Sequence, residues 1–153
     1  MRIGIDLHDT ITYRPDLFKE LIENFNDVGH TVVIISGTPA KDRDHVTQTL
    51  DDLEIPWTYI SLGFDYEKDE MTHDHFLKMR EWKLATCQRF KIDLYIDDNP
   101  YYVKYIAQHG ILVLQPVLDD AYIQRFNEGD PYFTCNLQEK QFDFLEEFVL
   151  ARK

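Results

Sequence analysis

The residues best suited to chemistry are aspartates that follow apolar runs. Ile3 to Ile5 leads into Asp6-Leu7-His8-Asp9-Thr10, and Leu94-Tyr95-Ile96 leads into Asp97-Asp98-Asn99-Pro100. A third apolar run, Thr31 to Ile35, ends in Ser36-Gly37. A carboxylate at the end of a buried strand is costly unless something pairs with it. If these runs are parallel strands of one sheet, their ends share one edge and Asp6 meets Asp97 and Asp98. Carboxylates clustered in this way repel, so either one takes a proton or a cation fills the gap. Oxygen ligands without a matching His or Cys set suit Mg2+. Singly, Asp9 or Asp98 also reads as a turn former or helix cap. The coincidence of three strand ends is what argues for a site.

The elements that must position these residues alternate between strand and helix. Pro15 to Val28 has Leu17, Leu21, Ile22, Phe25 and Val28 at helical spacing, with Pro15 in the first turn and Gly29 past the end. Thr31 to Ile35 is β-branched and apolar throughout, as in a strand covered on both faces. A second helix follows Pro39 with Val46, Leu50 and Leu53 inward, and Trp57 to Leu62 is a third strand. An acidic, irregular stretch from Gly63 to Thr72 precedes a long helix from about His73 to Phe90. A helix from Pro100 to Gln108, ended by Gly110, separates Leu94–Ile96 from a fifth strand, Ile111 to Leu114. Pro116 to Lys153 reads as two helices. The second starts at Asn136 with Glu139 three residues on, and carries Phe142, Leu145 and Val149 on one face.

This pattern predicts an α/β fold, a doubly wound parallel sheet in a three-layer α/β/α arrangement with right-handed crossovers. Ligands of such sheets bind beyond the carboxyl ends of the strands, at the topological switch point. The expected organisation is one domain over residues 1–153, with its core at about 2–115 and a helical tail at about 116–153.

Composition narrows the partners. With 153 residues and 44% apolar content, the chain can bury a real core. No run approaches the roughly 20 apolar residues that span a membrane, and no signal peptide precedes the first strand. A cytoplasmic protein is the expectation. Cys87 and Cys135 read as reduced thiols outside any metal pattern. The formal net charge of −12 argues against nucleic-acid and anionic-membrane binding. An anionic substrate would therefore need local positive charge, such as a metal ion.

Four motifs in order resemble those of haloacid dehalogenase (HAD)-like phosphatases. The family's first motif is an apolar strand followed by Asp-x-Asp-x-Thr, here Asp6-Leu7-His8-Asp9-Thr10. The second is a Ser or Thr ending the next core strand, here Ser36. The third is a lysine ahead of the fourth strand, for which Lys83 is the best candidate and Lys78 the fallback. The fourth is an acidic pair, here Asp97-Asp98. The match covers about residues 2 to 115.

The resemblance implies a Mg2+-dependent phosphomonoester hydrolase acting on a small phosphorylated substrate. Asp6 would attack phosphorus and form an aspartyl-phosphate. Mg2+ would be held by Asp6, the backbone carbonyl of His8, and Asp97 or Asp98. Ser36, the amides near Gly37 with the start of the next helix, and Lys83 would bind the phosphoryl group. One position departs from the pattern: His8 stands where family phosphatases carry the acid–base Asp. Imidazole can do general acid–base work near neutral pH. Asp9 is one residue out of place for that role and reads as a cap of the following turn.

The short spacings between motifs imply a capless or minimally capped, open site. Such a site can admit nucleotides, phosphosugars or phosphorylated macromolecules. The DDNP turn and its helix also resemble small 5′-nucleotidase-like members. The rival reading is a catalytically impaired phosphoryl-binding or regulatory module. A phosphate-receiver domain is disfavoured because the lead aspartate lies on the first strand. Outside the motifs, His73-Asp74-His75 reads as solvated capping, Arg43 as a surface charge, and Tyr101, Tyr102 and Tyr105 as packing.

Overall fold

The computed structural model describes residues 1–67 and 71–116. Five strands form one sheet: β1 (Arg2–Ile5), β2 (Thr31–Pro39), β3 (Tyr59–Gly63), β4 (Leu94–Ile96) and β5 (Leu112–Leu114). All neighbours pair in parallel, in the order β3-β2-β1-β4-β5. The helices are α1 (Pro15–Asp27), α2 (Arg43–Asp52), α3 (His73–Phe90) and α4 (Pro100–Ala107). The doubly wound α/β fold expected from the sequence is the fold observed. Strand order reverses between β1 and β4, the switch point beyond whose carboxyl ends such sheets bind ligands.

Alternation along the central strands sorts the core into two layers. Ile3, Ile5, Val32, Ile34, Leu94 and Ile96 pack against Phe18 and Ile22 of α1 and Val46 and Leu50 of α2. Val33, Ile35 and Tyr95 face the other way, against Leu84 and Cys87 of α3 and Ile106 of α4. Both faces are covered, which is why β2 is apolar at successive positions. Gly4 of β1 pairs with Tyr95 of β4. A methyl group at Gly4 would lie 2.9 Å from Ile35 Cδ1 and 3.0 Å from Tyr95 Cδ2. The missing side chain is what lets the Tyr95 ring lie across β1.

Several expectations change in detail. In α1 the inward residue is Phe18, while Leu17 and Val28 are exposed. The ring of Phe18 reaches the sheet next to Ile22, whereas Leu17 lies one position off that stripe. β2 does not stop at Ile35 but runs to Pro39, with a break in its register to β3 between Ser36 and Pro39. A short 3-10 turn, Ala40–Asp42, then delays α2 until Arg43. Trp57 precedes β3 and packs at the edge of the core, its indole N–H donating to Asp51 Oδ1 at 3.1 Å. The expected tail helices, with Cys135 and Asn136, lie outside the described residues. Among the described residues, no helix is long and apolar enough to cross a membrane.

Candidate active site

Asp6 leaves the end of β1 with its N–H donating to the Ile96 carbonyl of β4 at 2.8 Å. That bond sets the two strand ends side by side. Asp6, Asp97 and Asp98 each offer a carboxylate oxygen, and these atoms lie within 4.8 Å of one another, close enough to share one cation. All three residues are buried. Among the described residues this is the one group of metal-ligating side chains so arranged.

Lys83 enters from α3, across the sheet face occupied by Tyr95. Its ammonium donates to Asp6 Oδ1 at 2.8 Å and to Asp97 Oδ2 at 2.5 Å. It also sits 4.5 Å from the centre of the Tyr102 ring, a cation–π contact. Lys83 is 3% exposed, whereas Lys78 lies on the solvent side of the same helix. Lys83 is therefore the lysine of the site. Burial alone would lower its pKa, but Asp6 and Asp97 outweigh burial and raise it. The ammonium stays charged.

The carboxylates respond in the opposite sense. Burial pushes Asp6 well above the ordinary range, with Asp97 and Asp98 adding to the rise against Lys83. Burial and then Asp97 push Asp98 up to about 7, against Lys83 and the Thr10 hydroxyl. Three carboxylates face one ammonium, which leaves two negative charges when all are ionised. A buried ion cluster of this kind is a poor source of stability, and perturbed groups gathered at a strand-order reversal make it a candidate functional site.

Hydrogen bonds fix the acidic pair. Thr10 Oγ1 donates to Asp98 Oδ1 and accepts the Asp98 N–H, both at 3.1 Å. The Tyr95 hydroxyl donates to Asp97 Oδ2 at 2.6 Å, and the Asn99 N–H to Asp97 Oδ1 at 2.9 Å. Asn99 also caps α4 by accepting the Tyr101 N–H at 3.0 Å, so the acidic turn is rigidly joined to the helix that carries Tyr102.

On the other flank, Ser36 is fully buried at the β2 end. Its hydroxyl lies 2.9 Å from Thr38 Oγ1 and accepts the Thr38 N–H at 3.2 Å. His8 Nδ1 approaches Ser36 Oγ at 3.5 Å, the outer edge of hydrogen bonding. The His8 ring reaches solvent, yet the protein around it lowers its pKa; Lys83 and His45 add to the fall and Asp9 opposes it. Asp9 adopts the left-handed conformation, φ 56°, and its N–H donates to Thr12 Oγ1 at 3.0 Å. The cap of this turn is thus the Thr12 hydroxyl, and Asp9 supplies the reversal of the backbone.

Gly37 lies within β2, against Met79 of α3 and under Gly63 of β3. α2 begins only at Arg43, so the amides near Gly37 belong to β2 and are separated from the start of the helix by Ala40–Asp42. Asp6, His8, Ser36, Lys83, Asp97 and Asp98 do gather at one end of the sheet. Sequence reasoning assigned no role to Thr10, Tyr95 or Thr38, and read Tyr102 only as packing. Thr10 alone had a signal, its place in the first motif.

One surrounding feature differs from expectation, and the tyrosines pack as expected. His75 is buried rather than solvated, its ring edge-on to Tyr66 at 4.3 Å and to Phe64 and Phe76. Tyr101 and Tyr105 flank the Arg80 guanidinium, with ring centres 5.1 and 4.3 Å from its Cζ. Arg43 is exposed, as expected.

No protein-family model and no curated protein matches the chain. Among solved structures it is similar to a chain of the Pnkp1/Rnl/Hen1 RNA repair complex, at 13% identity and a TM-score of 0.60, covering 78% of this chain and 43% of that one. It is also similar to the glycosyltransferase VinC in complex with DTDP, at 14% identity and a TM-score of 0.50, covering 87% of this chain and 38% of that one. The chain thus spans less than half the length of either. At such identities the likeness is one of fold: a three-layer, Rossmann-like α/β protein, here with a buried carboxylate–lysine centre.

Proposed function

We propose that the protein is a Mg2+-dependent phosphomonoester hydrolase of the HAD-like type. The observation that carries the reading is the meeting of Asp6, Asp97 and Asp98 with the buried Lys83 at the point where strand order reverses. The donor set fits a hard divalent cation: carboxylate oxygens alone, with two charges in excess of the lysine. When bound, Mg2+ would screen the nucleophile from the phosphate and neutralise charge developing on the phosphoryl oxygens.

The chain's own residues supply the rest. Asp6 attacks phosphorus, a P–O bond forms to its carboxylate, and the ester P–O bond breaks. The leaving oxygen takes a proton from His8. Water then attacks the aspartyl-phosphate, His8 takes its proton, and inorganic phosphate leaves with the Asp6 carboxylate restored. Ser36 donates a hydrogen bond to a phosphoryl oxygen. Lys83, held against Asp6, supplies fixed positive charge without reorganisation. The substrate is a small phosphate ester, and the net charge of −12 disfavours nucleic acid.

The test is hydrolysis of para-nitrophenyl phosphate and a panel of nucleotides and phosphosugars with Mg2+, comparing the wild type with Asp6→Asn. Turnover that requires Mg2+ and falls at least a thousandfold in Asp6→Asn is expected. Absence of turnover on every ester, from folded protein that binds Mg2+, would overturn the hydrolase and leave the phosphoryl-binding module.

A further inference from the structure

The groups that would hold the phosphoryl end leave the other half of the ester unassigned, and an aromatic cluster adjoins them. On α3, His75, Met79 and Lys83 recur every four residues, so they share one face at steps of roughly 6 Å. Lys83 ends that row among the carboxylates, Met79 lies against Gly37 beside Ser36, and His75 meets Phe64 and Tyr66. The Tyr102 ring, 4.5 Å from the Lys83 ammonium, belongs to the same cluster as Phe76, Met79, Phe64 and Tyr66. The cluster therefore runs without a break from Lys83 to the chain that follows β3. That chain is held at the carboxyl edge of the sheet. Ser36 of β2 pairs with Leu62 of β3, and Phe64 follows two residues later. Asp65 Oδ1 accepts the Lys41 N–H at 3.3 Å and Glu67 pairs with the Lys41 ammonium, while Phe64 and Tyr66, at the alternate positions, join the cluster. Phe76, Met79 and Tyr102 are buried, whereas Phe64 and Tyr66 are only half-buried. Burial, then Asp42, raises the Tyr66 hydroxyl above the usual phenol range and Lys83 opposes them, so the ammonium of the site acts on this ring.

We infer that Tyr66 is a specificity-determining residue whose ring stacks on a planar group in the leaving half of the ester, and that the substrates are nucleoside monophosphates. This rests on the phosphatase reading above. The His75 contact at 4.3 Å and the two ties from Lys41 to the residues on either side fix where the Tyr66 ring stands. Between Ser36 and Tyr66 the strand ends are Gly37 and Gly63, which add no side chain there. The hydroxyls of a phosphosugar need polar partners, but both carboxylates beside Tyr66 are engaged by Lys41, and what the cluster offers is ring surface. A nucleobase matches that surface, and stacking accepts any base because each has a flat π face.

The experiment measures kcat and KM, with Mg2+, for adenosine 5′-monophosphate, uridine 5′-monophosphate and glucose 6-phosphate, using the wild type, Tyr66→Phe and Tyr66→Leu. The wild type is expected to favour both nucleotides over glucose 6-phosphate by at least about tenfold in kcat/KM. Tyr66→Leu keeps an apolar side chain but loses the ring. It is expected to raise KM for both nucleotides about tenfold, the share of one stacked base, and to leave KM for glucose 6-phosphate within about twofold. Tyr66→Phe keeps the ring and is expected to match the wild type on all three esters. Equal use of the three esters by the wild type overturns the inference. So does a Tyr66→Leu loss that glucose 6-phosphate shares or that the nucleotides lack, and so does a Tyr66→Phe loss as large as that of Tyr66→Leu. If Tyr66→Leu does not fold, the wild-type preference and Tyr66→Phe decide. A wild type that hydrolyses no ester brings down the phosphatase reading and the inference together. A wild type that hydrolyses glucose 6-phosphate as well as the nucleotides brings down the inference only.

Discussion

On its β4 side, Asp6 meets a packed and saturated network; on its β2 side, it meets a looser one. Toward β4, Lys83, Asp97, Tyr95, Thr10 and Asp98 are all buried and linked at 2.5 to 3.1 Å. Toward β2, Ser36 is tied to its neighbour Thr38, while His8 approaches it only at 3.5 Å and reaches solvent. The first flank fixes charge before any ligand arrives. The second sets the exposed His8 beside the fully buried Ser36. A preorganised charged wall opposite an exposed imidazole is the arrangement that the proposed group transfer would use.

The largest expected break in this contrast is Lys83→Met. Removing one partner of a buried ion cluster leaves carboxylates uncompensated, at a cost of about 3 kcal/mol or more. The denaturation midpoint should fall accordingly and turnover should vanish, because both flanks lose the charge they are organised around. A variant with unchanged stability would mean the saturated side is not a strong constraint.

His8→Ala should act on the open flank alone. Loss of an acid–base group lowers turnover by about a hundredfold to a thousandfold, while Mg2+ affinity measured by calorimetry stays near the wild-type value. Unchanged turnover would remove His8 from the chemistry.

The smallest effect is a graded one with pH. Asp98 is held at about 7, against an ordinary 3.8. A cation must displace its proton, so apparent Mg2+ affinity should fall by up to about tenfold per pH unit below 7. Stability without Mg2+ follows the opposite course. A carboxyl whose folded value is raised contributes stability fully present below its unfolded pKa, and that contribution is lost as pH rises through the folded value. Asp98 should therefore lower the midpoint between about pH 4 and 7, Asp6 acts in the same direction, and added Mg2+ should restore the midpoint above pH 7. Lys83 is charged in both states throughout that window. Midpoints that rise with pH in metal-free buffer would contradict the raised carboxyls.

Much of this was legible in the residues. Ile3–Ile5, Thr31–Ile35 and Leu94–Ile96 announce buried parallel strands, and the aspartates after them cannot be explained by burial alone. Lys83 could be singled out by its place ahead of β4, but not its ion pairs, which join residues 77 and 14 positions apart. Tyr95 was read only as one letter of an apolar run, because a three-residue strand carries no period that shows which face a hydroxyl takes. The inward turn of Phe18 in place of Leu17, and the burial of His75 among Phe64, Tyr66 and Phe76, depend on what lies opposite. The extension of β2 through Gly37 depends on Gly63, where a methyl group would lie 2.5 Å from the Gly37 carbonyl oxygen.

Gly4 has a consequence that reaches beyond this one chain. Its hydrogen in place of a side chain makes room for the Tyr95 ring, and the hydroxyl of that ring holds Asp97. Positions 4 and 95 are therefore not independent during descent. A lineage that enlarges residue 4 must make room at residues 35 and 95, and shrinking residue 95 gives up the hydroxyl. Related sequences should divide into those with a small residue opposite an aromatic hydroxyl and those that have abandoned both, with intermediates scarce. Such paired change at two core positions would trace a constraint that originates at the carboxylate cluster at the end of the sheet.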